Sequence, residues 1–214
     1  MVKIYFNFVI IQNPVELKNR MTKIIGLTGG IGSGKTTIAN HFMEANIPVY
    51  IADDEARKLM QSSEIIEEIK KNFGDSIFDE AILNREKLSQ VVFNDPEKLK
   101  LLNAIIHPAV KKHFQDWVLN HNNSAYLIYE AAILFESGSY KNCDLIITVT
   151  APLETRILRV IQRDKTTREQ VLKRIHTQWD DAQRISKSDF VVENIDPEIT
   201  KTEIDKILKI LKIR

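Results

Sequence analysis

The stretch GLTGGIGSGKTT, residues 26–37, constrains the fold of this chain more than any other. Only seven glycines occur in 214 residues, and five of them fall between Gly26 and Gly34. Gly29, Gly34, Lys35 and Thr36 satisfy the pattern G-x-x-x-x-G-K-[ST]. The pattern follows an apolar run that reads as a strand, 23–28, and opens an amphipathic stretch, TTIANHFMEA, that reads as a helix. Glycines let backbone N–H groups turn inward around phosphate oxygens, where a Cβ would block the approach or forbid the required positive φ. The free N–H groups at a helix start add to this preference for an anion. Gly29, Gly30, Ile31, Gly32, Ser33, Gly34, Lys35, Thr36 and Thr37 are therefore the expected nucleotide-binding loop. Within it the Lys35 ammonium can reach the β and γ phosphates, and the Thr36 hydroxyl can ligate Mg²⁺.

Around this loop the chain alternates short β-branched runs with longer helical patterns, the signature of an α/β fold with a parallel sheet flanked by helices. The predicted strands are 23–28, 48–51, 126–129, 145–150 and 190–192, several apolar on both faces as buried parallel strands should be. Between the second and third strands only helical periodicity is visible, in IIEEIKKNF, NREKLSQVVF and EKLKLLNAIIHPAVKKHFQDWVL. That length exceeds one crossover and predicts an inserted helical domain, 54–121. A second insertion, 164–188, is polar, basic and helical, leaving 21–53, 122–163 and 189–214 as the core. Residues 1–20 carry an apolar run broken by Lys3 and Asn7, too short to span a bilayer. They are expected to be an extension outside the fold, the alternative being an extra strand or helix packed on the core.

Composition narrows the setting. With 43% apolar and 28% charged residues the chain suits one globular unit with a sizeable core, and a net charge of +1 argues against a nucleic-acid binder held by bulk charge. A single cysteine, Cys143, cannot form an internal disulfide. Without a secretory signal either, the expected setting is cytoplasmic, with no membrane partner and a monomer as the default.

A phosphate loop announces a nucleotide and leaves the reaction open. No NKxD or DxxG tetrapeptide occurs, which counts against a guanine-nucleotide switch. The nearest thing to an apolar strand ending in Asp-Glu is YLIYEAA, which ends in Glu130 alone, and this counts against a ring-forming ATPase. A small-molecule kinase remains, and it needs a carboxylate near the acceptor hydroxyl, cations over the migrating phosphoryl group and a cover against water. VYIADDEAR places Asp53 just past the second strand, on the sheet edge where open α/β folds bind ligands. Its alternative role is an N-cap for a helix beginning near Asp54. Between Arg156 and Lys187 there are nine Lys or Arg against four Asp or Glu, so the rest of the chain is net negative. Arg156, Arg159 and Arg163 fall at i, i+3 and i+7, one helix face, and Arg159 and Arg163 are expected to face a polyanion.

Taken in order, LTGGIGSGKTT, ADDEAR, LNREKLSQVVFND, IIHPAV, ILFE, RVIQRD with a downstream RIHTQ, and SDFVVEN make the chain resemble the dephospho-coenzyme A kinase family from residue 21 almost to its carboxyl end. The resemblance implies a P-loop core, a helical domain that receives dephospho-CoA, and a basic lid that closes over ATP. It implies that Asp53 orients or deprotonates the ribose 3′-hydroxyl and that Arg159 and Arg163 serve the lid, so that Lys35, Asp53 and Arg163 are the expected catalytic residues. Arg57 and His107 would lie on the acceptor side, Leu134, Phe135 and Glu136 would border the acceptor, and Asn194 would lie near the adenine. Read in isolation, His107 is a helix-surface or core histidine bent by Pro108. The chain departs from the family pattern at Ile51, where an Asp is common, at Glu130 for Asp, at Ala132 for proline, and in having no glycine close after Asn194. These departures bear on Mg²⁺ geometry and the adenine loop. Another nucleoside or nucleotide kinase of the same fold, or a nucleotide-binding regulatory protein, is the alternative reading.

Overall fold

The computed structural model of the chain describes residues 4–6, 9–11, 22–93 and 95–211. In chain order its elements begin with β1 (Ile4–Phe6), β2 (Val9–Ile11), β3 (Lys23–Thr28), α1 (Lys35–Glu44), β4 (Val49–Ile51), α2 (Ala52–Leu59) and α3 (Ser63–Phe73). They continue with β5 (Phe78–Asp79), β6 (Ile82–Leu83), α4 (Arg85–Phe93), α5 (Pro96–Asn120), β7 (Tyr126–Glu130), β8 (Leu145–Thr150) and α6 (Leu153–Asp164). The last are α7 (Arg168–His176), α8 (Asp181–Ser186), β9 (Phe190–Glu193) and α9 (Pro197–Ile210). The five strands expected of the core are β3, β4, β7, β8 and β9. Most of the segment read as an amino-terminal extension lies outside the described residues; within it, β1 and β2 pair antiparallel with Ile4 opposite Ile11.

The contacts of the chain separate it into two compact units, 1–50 with 121–214, and 51–120. The first holds a five-stranded sheet in the order β4-β7-β3-β8-β9, with β3 parallel to both its neighbours and β8 parallel to β9. All six residues of β3 are buried, as a central strand covered on both faces requires. From β3 the chain goes to strands on one side and later to strands on the other. The loop leaving the carboxyl end of β3 therefore sits at the topological switch point where such sheets bind ligands. Ile25, Leu27, Ile128, Ile147, Val149, Phe190 and Val192 of the sheet pack with Ile38 and Phe42 of α1 and with Ile204 and Ile207 of α9. Each such side chain contributes roughly 1.5–3 kcal/mol by leaving water. α9 is started by Asp196, whose carboxylate accepts from the N–H groups of Glu198 and Ile199, with Pro197 pre-set for the first turn.

In the second unit α2, α3 and α4 each pack on the long α5. Ile65, Ile69, Leu88, Ile106, Val110 and Phe114 are among its buried apolar side chains. Helical periodicity predicted helices alone here, and the structure adds the short β5-β6 hairpin, Phe78 opposite Leu83. Two-residue strands are too short for a period of two to register in the sequence. The hairpin is tied instead by side chains: Asp79 accepts from Asn84 and Lys87, while Asn84 Oδ1 caps α4 through the N–H groups of Glu86 and Lys87.

Candidate active site

The loop after β3 ends in Gly34, the N-cap of α1, at φ 92° and ψ 30°. Only glycine adopts that conformation without strain, and here a Cβ would also lie 1.9 Å from the Asn194 side-chain nitrogen. No side chain caps α1 and no acidic residue stands in its first turn, so this helix start is set up for an external anion. Lys35 Nζ donates to the carbonyl of Gly29 at 3.0 Å, closing the loop on itself. Thr36 and Thr37 are exposed at the helix start.

The three arginines that spacing placed on one face of α6 have three different environments. Arg156 is buried, donating from Nε to the carbonyl of Ile31 and from Nη1 to Asp181 Oδ2, both at 3.0 Å. Burial works against its charge and lowers its pKa, while the Asp181 carboxylate opposes that shift. Its guanidinium lies against Gly30, where a Cβ would come within 2.0 Å of Nη2. Arg159 approaches Gly34, with Nη1 3.7 Å from the position of a Cβ there, and that nitrogen is buried with no partner among the described residues. An unpaired buried guanidinium nitrogen leaves a strong donor available to an incoming oxyanion. Arg163 instead pairs with its neighbour Asp164 at 2.7 and 3.2 Å, and Asp164 also receives Arg174 Nη1 at 2.9 Å.

Asn194 stands just past β9 and is buried. Its Nδ2 donates to the carbonyl of Ser33 at 2.9 Å and its Oδ1 accepts from Thr200 Oγ1 at 3.3 Å. The carboxamide thus braces the loop from α9, a contact that motif spacing does not reveal. Leu134 and Phe135 are buried, and Phe135 stacks on Trp179 with centroids 5.3 Å apart and planes at 1°. Glu136 Oε1 accepts from the N–H of Trp179 at 2.9 Å and lies 3.5 Å from Arg184 Nη2, while Oε2 is buried with no partner among the described residues. Sequence reading missed Gln178, Asp181 and Arg184 as members of this assembly. The signals available were RIHTQ, which ends in Gln178 but was given no role, and the capping box at the start of α8, Asp180 with Gln183.

In the second unit, α2 follows β4 without a turn and begins at Ala52, with Ile51 as its N-cap. Asp53 therefore lies inside the first turn, exposed, and makes no capping hydrogen bond, so the N-cap alternative is overturned. The helix starts earlier than expected because the strand runs directly into it, leaving no residue to act as a separate side-chain cap. Arg57 is exposed and pairs with Asp54. His107 is exposed in the middle of α5, one residue before Pro108, and partial burial lowers its pKa.

Among the described residues no group of three or more His, Cys, Asp or Glu could hold a metal ion. Oxygen donors in or next to the loop include the exposed Thr36 hydroxyl and the buried Thr28 and Ser33 hydroxyls, which have no partner among the described residues; Glu130 is buried at the carboxyl end of β7 in register with Leu27. That sparse oxygen set fits Mg²⁺ brought in with phosphate and water ligands, since this ion retains waters and rarely takes an all-protein cage. No helix among the described residues is long and apolar enough to cross a membrane.

The sequence profile of the family described as dephospho-CoA kinase matches residues 23–199. The chain is 40% identical over 172 residues to a dephospho-CoA kinase of Fusobacterium nucleatum, covering 80% of this chain and 89% of that protein. With the dephospho-CoA kinase of Chlorobium chlorochromatii it shares 36% identity over 186 residues, 83% of this chain and 88% of the other. A crystal structure of a Thermus thermophilus protein superposes with a TM-score of 0.83 at 32% identity, covering 90% of this chain and 98% of that one. A dephospho-CoA kinase from Campylobacter jejuni superposes with a TM-score of 0.66 at 25% identity, covering 89% and 98%.

Proposed function

Since the chain belongs to the dephospho-CoA kinase family, we propose that its P-loop and its acceptor-side carboxylate carry the reaction of that family, transfer of the γ-phosphoryl group of ATP to the 3′-hydroxyl of dephospho-CoA. The protein is an ATP-dependent kinase that forms coenzyme A. The observation that carries the donor half of this reading is the uncapped start of α1 at Gly34 with the unpartnered Arg159 Nη1 beside it.

The backbone N–H groups of Gly32, Gly34, Lys35 and Thr36 and the Lys35 ammonium hold the phosphates, and Arg159 meets the charge that spreads over the migrating group. On binding, Lys35 exchanges the Gly29 carbonyl for phosphate oxygens. Thr36 would hold Mg²⁺, which would supply neutralisation of phosphate charge. Asp53 accepts a hydrogen bond from the acceptor hydroxyl and orients it for in-line attack. Arg57 and His107, both on the 51–120 unit, serve the acceptor. Arg163 and the segment 164–188 cover the phosphates and exclude water. Asn194 holds the loop carbonyl of Ser33 and lies at the edge of the nucleotide site.

The test is formation of coenzyme A from purified protein, Mg-ATP and dephospho-CoA, run beside a panel of nucleosides and nucleotides as acceptors. Product with dephospho-CoA alone is the expected result. Faster transfer to a nucleoside or nucleotide would replace the acceptor assignment and keep the kinase, and ATP binding without transfer to any acceptor would remove both.

A further inference from the structure

Ile31 is held on three sides, by α6, by Val171 of α7 and by Gln178 just beyond α7. Its side chain packs on an apolar cluster of Ile157, Val160 and Val171. Its N–H donates to Gln178 Oε1 at 2.9 Å, and its carbonyl accepts from Arg156 Nε at 3.0 Å. Arg156 is in turn oriented by Asp181 Oδ2, while Asp181 Oδ1 receives Arg184 Nη1 at 3.1 Å. Arg184 has no exposed surface, and its other terminal nitrogen lies 3.5 Å from Glu136. The two peptide groups flanking Ile31 are thereby fixed, one by Gln178 and one through Arg156 by Asp181.

Their neighbours explain why such fixing matters. Gly30 and Gly32 stand on either side, and glycine loses more conformational freedom on ordering than any other residue. A loop built this way has a low cost of close approach to a ligand and a high cost of being held in the receptive shape. Backbone N–H groups stabilise transferred charge only when they are aimed before the ligand arrives, so some other part of the protein must hold those peptide planes.

We infer that Gln178 and Asp181, neither of which belongs to the phosphate-binding signature, are positioning residues that hold the peptide groups of Ile31 and so keep the phosphate loop in its ATP-receptive shape. This rests on the reading that the loop binds ATP. It makes the seating of 177–184 an energetic partner of nucleotide affinity, and it leaves the acceptor untouched.

Four proteins test it: wild type, Gln178→Met, Asp181→Asn and the double variant. Gln178 and Asp181 are both partly exposed, but Asp181 faces the buried Arg156 and Arg184, so Tm is read beside affinity and Gln178→Met, which removes no charge, tests the loop contact by itself. Binding of a non-hydrolysable ATP analogue is measured by calorimetry without acceptor, with KM for each substrate and Tm on the same preparations. Each single variant is expected to bind the analogue about tenfold more weakly, the scale of one lost hydrogen bond. KM for ATP should rise in parallel while KM for dephospho-CoA stays within twofold. Because both residues act on Ile31, the double variant should lose less than the product of the single losses. Variants that match a tightly binding wild type, with or without a lower Tm, would overturn the inference alone. A wild type that binds no analogue would remove the ATP-loop reading and the inference with it.

Discussion

The side-chain amide of Asn194 donates to the carbonyl of Ser33 at 2.9 Å, across 161 positions of sequence. It joins the end of β9 to the phosphate loop, and Thr200 on α9 holds its oxygen. Asn194→Asp replaces the donor with a second acceptor and sets two oxygens against each other in a buried site. The variant should lose about 1–3 kcal/mol of stability, the usual cost of an unsatisfied buried group, and should bind ATP more weakly. Thermal melting and calorimetric titration with an ATP analogue check both effects, and Asn194→Asp with unchanged nucleotide affinity would confine the residue to folding.

Lys35 donates to Gly29 without a ligand and is proposed to follow the β and γ phosphates when one is bound. Lys35→Ala should lose several powers of ten in kcat, within the ~8 kcal/mol or more by which enzymes lower such barriers. Tm measured on the same preparation separates lost transfer from lost folding. Turnover within tenfold of wild type would remove Lys35 from the transfer.

Asp53 lies inside the first turn of α2 and caps nothing. Its carboxylate near the helix start is worth about 0.3–1 kcal/mol. Asp53→Asn should therefore leave Tm almost unchanged while turnover falls by roughly 10²-fold or more, the scale of a positioned base. Paired melting and steady-state kinetics decide it, and near-wild-type turnover would leave the mechanism without its acceptor-side carboxylate.

Arg163 is held by Asp164 in the absence of a nucleotide. For Arg163→Ala, KM for ATP should rise while dephospho-CoA affinity, measured by calorimetry, stays nearly as in wild type. The opposite pattern, with acceptor affinity lost and ATP use unmoved, would reverse the roles assigned to the two insertions.

The same carboxylate gives a pH signature. Arg163, and after it Arg174, holds the Asp164 carboxyl below its ordinary range. Such a group binds fewer protons folded than unfolded, so its stabilisation is present above the ordinary carboxylate range and lost as pH falls through the lowered value. Tm should decline on acidification through that window, and Asp164→Asn should flatten this part of the profile. An unchanged acid limb in the variant would show that solvent screens the cluster fully.

The alternation of β-branched runs and helical patterns was enough to place the five core strands, and the glycine pattern was enough to place the bend at Gly34. Each is a local feature: a strand buried on both faces is apolar throughout, as β3 is, and a loop that wraps phosphate must be glycine-rich where Gly34 takes a positive φ. The β5-β6 hairpin escaped notice because two residues do not establish a period. The start of α2 was misplaced because Asp53 and Asp54 are both good capping residues and composition does not choose between them. Only the tertiary structure separated the arginines of α6. Helical spacing puts Arg156, Arg159 and Arg163 on one face, but what each meets depends on residues far away in sequence: Ile31 and Asp181 for the first, Gly34 for the second, Asp164 and Arg174 for the third. Gln178 and Asn194 bond to the phosphate loop over 147 and 161 positions, and no local period encodes such pairings because chain folding, rather than spacing, brings the partners together.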